Sequence, residues 1–489
     1  MHACSSVLPM RCSKHAFQAR CSNLHQSIKK LSHRSDYSHG LNRFNPVSSK
    51  AAVLKANAST RDAEVIVVGA GIAGLSAALH LKKKGVKDIL VIESGEAVGG
   101  RVKTDRVDGF LLDQGFQIFL TGYPEAQAAL DYKALDLKPF YAGAKVWLNG
   151  SFHQVADPFR HPVDGILSLT NPIGTVFDKI LVGLIRFRCL LGSVDDMMVR
   201  SESSIAERLK QEGFTDSMAK RFFRPFLGGI FFDRELGTSS RLLEFVLRTL
   251  ASGSNCLPVG GIGAVPEQLA AAVQPEAQIQ LGAHVSSVTG CSPSGECPYV
   301  LLADGSTIRA KRGVIVATNG PEAKRLLSGV MQAAPSKDAS GVGTCCLYFK
   351  APKPPSPQPM LYLNGEDNGI VNNCCFPSTV SPSYAPVGQT LVSVSTVGTH
   401  DELSDVQLEA EAKKQLGGWF GQDQVQSWSL LKIYRIPFAQ PNQAPPTNFS
   451  RSVSLGSSLY VCGDHRDSAT LDGALKSGRR AAEAVLSAA

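Results

Sequence analysis

At 489 residues the chain exceeds one ordinary domain and is long enough for two with sizeable cores. Its 43% apolar and 19% charged content is that of a globular protein, and charge, Pro or Gly interrupts every apolar stretch before the roughly 18 residues of a membrane span. The formal charge of +8 marks no nucleic-acid binder: residues 1–61 hold ten Lys/Arg against the single acid Asp36, which leaves 40 basic and 41 acidic residues in the rest.

That leader also carries 11 Ser. A basic, hydroxylated, nearly acid-free segment has the composition of a transit peptide, not of a folded element. Abundant Ser without an Arg-studded amphipathic helix favours a chloroplast address over a mitochondrial one. Val53–Ala58 reads as a processing region, so residues 1–58 are expected to be disordered and removable. Three of the twelve Cys lie in the leader; the others form no CxxC pair and have no His at zinc spacing, so no metal is expected. Cys345-Cys346 and Cys374-Cys375 fall in apolar strands, as buried small hydrophobes of a reducing compartment.

In chain order, Glu64–Val68 is a short apolar run of the kind buried on both faces of a parallel sheet. Gly69-Ala-Gly71-Ile72-Ala73-Gly74 follows at once and opens a helix, and the next strand, Ile89–Ile92, ends in Glu93 and Ser94. Glu93 stands 24 residues after Gly69, completing the spacing of a βαβ dinucleotide unit. The first glycine permits the turn, the second lets backbone approach a pyrophosphate, and the third lets helix and strand pack closely. Phosphate then meets free N–H groups at the positive end of the helix. An acid at the Glu93 position accepts from ribose hydroxyls and disfavours a 2′-phosphate, so NADP is not expected.

Gly99-Gly100-Arg101 comes six residues past Glu93, with Thr104 close behind, and Leu112-Asp113-Gln114-Gly115-Phe116-Gln117 follows. Val176–Leu191 is an apolar run carrying Asp178, Lys179, Arg186 and Arg188; it reads as an amphipathic core helix, with a membrane-surface helix as the alternative. Phe222–Phe232 is an aromatic run broken by Gly228-Gly229, suited to lining an apolar tunnel or to filling a core. Later come Pro258–Pro266 with its glycines, a strand over Gln278–Val288 that contains Leu281–Val285, the strand Gly313–Ala317 and a Pro-rich loop at 351–359. The end of the chain supplies Tyr460–Cys462, Gly463-Asp464, and Thr470-Leu471-Asp472-Gly473-Ala474 opening a final helix.

With these segments in this order, the chain resembles the flavin-containing amine oxidase superfamily, which includes the phytoene and carotene desaturases and protoporphyrinogen oxidase. The resemblance implies an α/β fold: a Rossmann-like FAD-binding domain, discontinuous in sequence (62–123, 256–330 and 455–489), with an inserted α+β substrate domain (124–255 and 335–450). It implies non-covalent FAD, since no Cys stands where the family attaches flavin. Arg101 would lie beside the pyrophosphate, and Gly115, Phe116 and Gln117 would pass under the isoalloxazine. The backbone of Val285 would read adenine, with His284 turned to solvent. Asp464 would bind the ribityl part, and the helix begun by Leu471, Gly473 and Ala474 would aim its positive end at flavin N1 and O2.

Flavins accept hydride at N5, and many amine oxidases of the family place a lysine near it. The equivalent stretch here, Val342–Phe349, carries Thr344 instead. Tyr434, in Ile433–Pro441, is the candidate for lining the catalytic face, with core packing as its alternative; His465 is the candidate base, with capping or surface roles as alternatives. The expected activity is hydride removal from a hydrophobic substrate, desaturase- or isomerase-like, on a plastid isoprenoid or related lipid, with quinone or oxygen as acceptor. Amine or protoporphyrinogen-type oxidation is the alternative within the class, and a non-catalytic flavoprotein scaffold the alternative outside it. Nucleic acid is not an expected partner; peripheral membrane association is.

Overall fold

A computed structural model of the protein describes residues 62–330 and 341–488, which belong to one compact unit. The expected transit peptide, residues 1–58, lies outside the described residues.

The first sheet is built around five parallel strands contributed by four separate stretches of chain. Their order is Ala277–Gln280, Ile89–Ile92, Asp62–Val68, Thr307–Val316 and Leu459–Val461. From Val65 to Val68 the central strand is buried on both faces, as its four aliphatic side chains require. Register brings the strand ends level: Val68 pairs with Ile92 and with Val316, and Val316 pairs with Val461. The turns after these four strands, at Gly69, Glu93, Ala317 and Gly463, therefore open on one edge. In a doubly wound sheet that edge is where ligands bind. The helix Ile72–Lys83 and the C-terminal helix Leu471–Ser487 pack against each other, with Ser76 Oγ donating to the Leu475 carbonyl at 2.8 Å.

A second sheet of seven strands runs Ser429–Pro441, Gly341–Ala351, Thr390–Thr396, Val371–Cys375, Leu361–Asn364, Gly143–Leu148 and Ser151–Ala156. Its pairs are antiparallel except Leu361–Asn364 with Gly143–Leu148. The helix Asp405–Phe420, started by a Ser404/Gln407 capping box, contributes Trp419 and Phe420 to an aromatic cluster with Tyr362, Phe376 and Trp428. The paired cysteines 345–346 and 374–375 are buried in this sheet as free thiols.

Between the sheets' sequences lies a helical region, and one of its helices departs from expectation. Val176–Cys189 is no core helix: of its residues only Asp178, Ile185 and Cys189 are buried. Its charges do the inward work. Asp178 completes a capping box with Thr175 and also accepts from the backbone N–H of Thr215 at 2.8 Å, so one buried carboxylate serves two helix starts. Leu181 and Val182 pack with Ile185 and Cys189 against the core, while Phe177, Ile180, Leu184 and Phe187 face outward.

Candidate cofactor and substrate site

A cavity of about 710 Å³ extends from the level strand ends to the inner side of the second sheet. Its size lies within the range of about 300–1,000 Å³ usual for ligand sites. At one end it is bounded by Gly69, Gly71, Ile72, Ala73, Glu93 and Ser94, at the neck by Gly99, Gly100, Arg101, Gly463 and Asp464, and nearby by Gly115, Phe116, Gln117, Val285, Leu471 and Ala474. These are residues expected from the sequence, brought together from three stretches of chain. His284 is exposed at the rim.

The first end has the chemistry of an anion cradle. Gly71 is the N-cap of the helix Ile72–Lys83; it offers no capping side chain, and no acid stands in the first turn, so the helix start keeps N–H groups for a ligand. A Cβ on Gly71 would meet no protein atom nearer than the Gly99 carbonyl at 4.0 Å, so the space it would enter is cavity. Gly74 serves differently and does not line the cavity: a Cβ there would fall 2.0 Å from the Gly69 carbonyl oxygen and 3.1 Å from Ala317 Cβ. Glu93 is held at the strand end by the N–H groups of Ala70 and Gly95, each at 2.8 Å.

At the neck, Arg101 pairs with the buried Asp464 at 2.8 Å and donates to the Ala439 carbonyl at 2.9 Å. Burial by itself would raise the Asp464 carboxyl, yet the charge and hydrogen bond of Arg101 together with His465 hold the group below its ordinary value. Gln117 Nε2 donates to the Arg101 carbonyl at 2.9 Å and so ties the two motif loops together. Arg101 thus presents a fixed guanidinium at the cavity wall, suited to a pyrophosphate. Glycines without Cβ, an uncapped helix start, a ribose-height carboxylate and a fixed arginine fit an FAD-sized dinucleotide.

Besides Gly74, two expected residues lie outside the cavity. Gly473 would place a Cβ 2.2 Å from the Ser468 carbonyl oxygen, so its role is backbone approach within the turn that starts the last helix. His465 does not reach the site. Its ring lies behind Gly463, at the place a Cβ on Gly463 would occupy, and borders a separate small cavity with Gln443, Phe449 and Asp467. Neither ring nitrogen has a hydrogen-bond partner, and burial, outweighing the Asp464 charge, pushes the imidazole down to about 4. The ring thus borders the small cavity and not the one that Tyr434 lines.

Tyr434 does line the cavity; its hydroxyl donates to Asp105 Oδ2 at 2.7 Å, beside Lys432 Nζ at 2.5 Å from the same oxygen. Thr344 lines it too, its hydroxyl spent on the Thr396 carbonyl at 2.7 Å. The aromatic run divides between its two readings: Phe226, Phe231 and Phe232 border the cavity, whereas Phe223 is buried against Phe214 and Phe222. Phe232 adopts φ +53, uncommon for a bulky residue, as it ends its helix at the cavity wall.

Sequence reasoning missed the support beneath the site. Asp113 is buried and accepts from Thr104 Oγ1 (2.6 Å), Ile262 N–H (2.9 Å) and Tyr384 OH (3.0 Å), while Thr104 Oγ1 accepts from Gly263 N–H (2.8 Å). Burial raises the Asp113 carboxyl to about 6. Through this knot the glycine segment 258–266 is fastened to the strand after Arg101. Phe140, Tyr141 and Leu250, which also border the cavity, stand in no motif and had no signal to find them by.

A family model described as flavin containing amine oxidoreductase matches residues 72–486. The hydroxysqualene dehydroxylase of Rhodopseudomonas palustris (strain ATCC BAA-98 / CGA009) is 26% identical over 452 residues, 87% of this chain and 98% of that protein. Protoporphyrinogen oxidase 2, chloroplastic/mitochondrial, of Arabidopsis thaliana is 26% identical over 176 residues, 34% of this chain and 32% of that protein. With several curated relatives the match spans about a third of their length or less. An oxidoreductase from Methanosarcina mazei shares the fold, with TM-score 0.66 at 18% identity, over 85% of this chain and 98% of that one. With the cradle, the neck and the family match over most of its length, the chain belongs to the flavin-containing amine oxidoreductase family and is an FAD-dependent oxidoreductase.

Proposed function

We propose that this oxidoreductase takes hydride from an uncharged, hydrophobic substrate, a plastid isoprenoid or related lipid, in a desaturase- or isomerase-like reaction. On this reading 62–123, 256–330 and 455–489 hold FAD, while 124–255 and 335–450 hold the substrate. The observation that carries it is the charge of the cavity wall. No lysine borders the cavity among the described residues, and its acids, Glu93, Glu322 and Asp464, all come from the nucleotide segments. A cationic amine would find no carboxylate in the other half. Of the two arginines bordering it, Arg101 is paired with Asp464, and Arg435 is spent on Asp405 and the carbonyls of Thr399, His400 and Leu403. A porphyrinogen carboxylate would therefore meet no unengaged cation. What remains facing the substrate is uncharged and largely apolar, with Phe140, Phe226, Ile230, Phe231 and Leu361 beside the polar Asn255, Asn373 and Gln440.

Bound FAD supplies the hydride acceptor. The chain's own part is to exclude water, hold the substrate by apolar contact and orient it against Tyr434 and Thr344, whose hydroxyls are already engaged. The basic, Ser-rich leader and the chloroplastic/mitochondrial relative support a plastid address. The test is anaerobic mixing of holo-protein with a plastid neutral-lipid extract, with simple amines and with protoporphyrinogen, following flavin absorbance. Bleaching by the lipid fraction alone is expected. Bleaching by an amine or by protoporphyrinogen, with the lipid inert, would overturn the reading.

A further inference from the structure

Two helices carry an outward apolar face that no described residue covers. In Val176–Cys189, Phe177, Ile180, Leu184 and Phe187 are 60%, 52%, 60% and 63% exposed, and at spacings of three, four and three residues they form one stripe. Ile166 and Leu167 of the helix Pro162–Ser168 add 66% and 65% exposure beside them. The two helices are joined through Lys179, whose Nζ donates to the carbonyls of Leu169 and Asn171, each at 2.9 Å. Isolated exposed leucines need no explanation, but a continuous patch of this kind marks an interaction surface.

The charges around the patch are all turned to internal use. Asp178 caps two helices, Arg186 pairs with Asp157 at 3.2 Å and lies over the Phe159 ring at 4.3 Å, and Arg188 pairs with Glu212. Asp164 accepts from the Tyr141 hydroxyl. A protein partner needs rim groups that set its register. Here the rim is satisfied within the chain and the centre is featureless hydrocarbon, which suits a fluid apolar phase edged by cationic stems. Among the described residues no helix is long and apolar enough to cross a membrane, so the contact is with the interface.

The patch also adjoins the cavity wall. Tyr141 borders the cavity, stacks on His161 at 3.9 Å and binds Asp164; Leu250 borders it and its carbonyl accepts from Arg160 at 3.0 Å. We propose that the helices Pro162–Ser168 and Val176–Cys189 seat the protein on a lipid bilayer, with the substrate half of the cavity next to the membrane. The transfer of a lipid substrate from bilayer to cavity rests on the function proposed for the cavity; the docking itself does not.

Full-length holo-protein is floated with pure phosphatidylcholine vesicles, whose zwitterionic surface gives the basic leader little to bind. Flotation is expected at low and high salt. The combined variant Phe177→Ser, Ile180→Ser, Leu184→Ser and Phe187→Ser should lower the bound fraction at least about tenfold while keeping its flavin content, because the altered side chains already face water. Wild-type protein that stays unbound, or a variant that floats equally well, overturns the docking. So does self-association without vesicles that the same substitutions abolish, which would make a second copy the occupant. Flotation with no flavin bleaching by lipid would instead sink the substrate reading alone.

Discussion

Two helices start at the same cavity and meet it in opposite ways. Ile72–Lys83 begins with Gly71, no capping side chain and no acid, leaving N–H groups exposed to whatever lies in the cradle. Leu471–Ser487 begins with Thr470, whose side chain accepts from Gly473 N–H at 3.0 Å, and has Asp472 in its first turn. That aspartate turns away to cap another helix, accepting from the N–H groups of Glu125 (2.8 Å) and Ala126 (3.3 Å). The first start has no cap of its own and keeps its N–H groups for a ligand; the second has one of them, that of Gly473, already taken by Thr470. Sequence patterns alone make the two ends look alike, since each is a glycine-bearing turn before a helix.

The largest expected effect comes from breaking the open start. Gly71→Val has room in the protein and an allowed backbone, φ −75, so it should fold, with unchanged far-ultraviolet circular dichroism, yet purify without flavin. Retention of stoichiometric flavin absorbance would refute the cradle. Next is the contact between the helices: a Cβ at Gly478 would lie 2.2 Å from the Ala73 carbonyl oxygen. Backbone cannot rotate aside, so Gly478→Val should cost about 3 kcal/mol or more, read as a lower Tm in apo-protein.

A smaller effect separates the two starts by pH. Burial raises the Asp472 carboxyl to about 7, above its unfolded range near about 4. The folded protein thus holds this proton more tightly than the unfolded chain. Its contribution to stability is present at and below about pH 4 and is lost as pH rises through about 7, with a limiting slope of about 1.4 kcal/mol per pH unit. Asp472→Asn should flatten that slope in denaturant titrations across this window; an unchanged slope would assign it elsewhere. The smallest effect belongs to Thr470→Ala, which removes a cap and should cost about 1 kcal/mol while leaving flavin content intact.

The glycine motifs, the strand that precedes each and the acid at the second strand's end were legible in the sequence because each is decided within a few residues: backbone approach, φ and strand burial are local demands. The knot around Asp113 was not, since its donors Thr104, Ile262 and Tyr384 are far apart in the chain and meet only once the second sheet closes. His465 shows the same limit at short range: it follows Asp464 directly, yet the turn at Gly463, φ +145, sends its ring behind the strand end.

For the helix Val176–Cys189, sequence determined that it is amphipathic, and tertiary structure alone decided which face is inside. Hydrophobic periodicity cannot tell a core from a membrane, since both accept the same stripe. Asp178 in its capping role and Arg186 in its pair with Asp157 share the inner side with Ile185 and Cys189, and the second apolar stripe, Phe177, Ile180, Leu184 and Phe187, is left outside. Sequence likewise determined the cofactor, through residues that must touch it. The character of the substrate half was decided by packing, which set Phe140, Phe226, Phe231 and Leu361 around one cavity and kept every described lysine out of it.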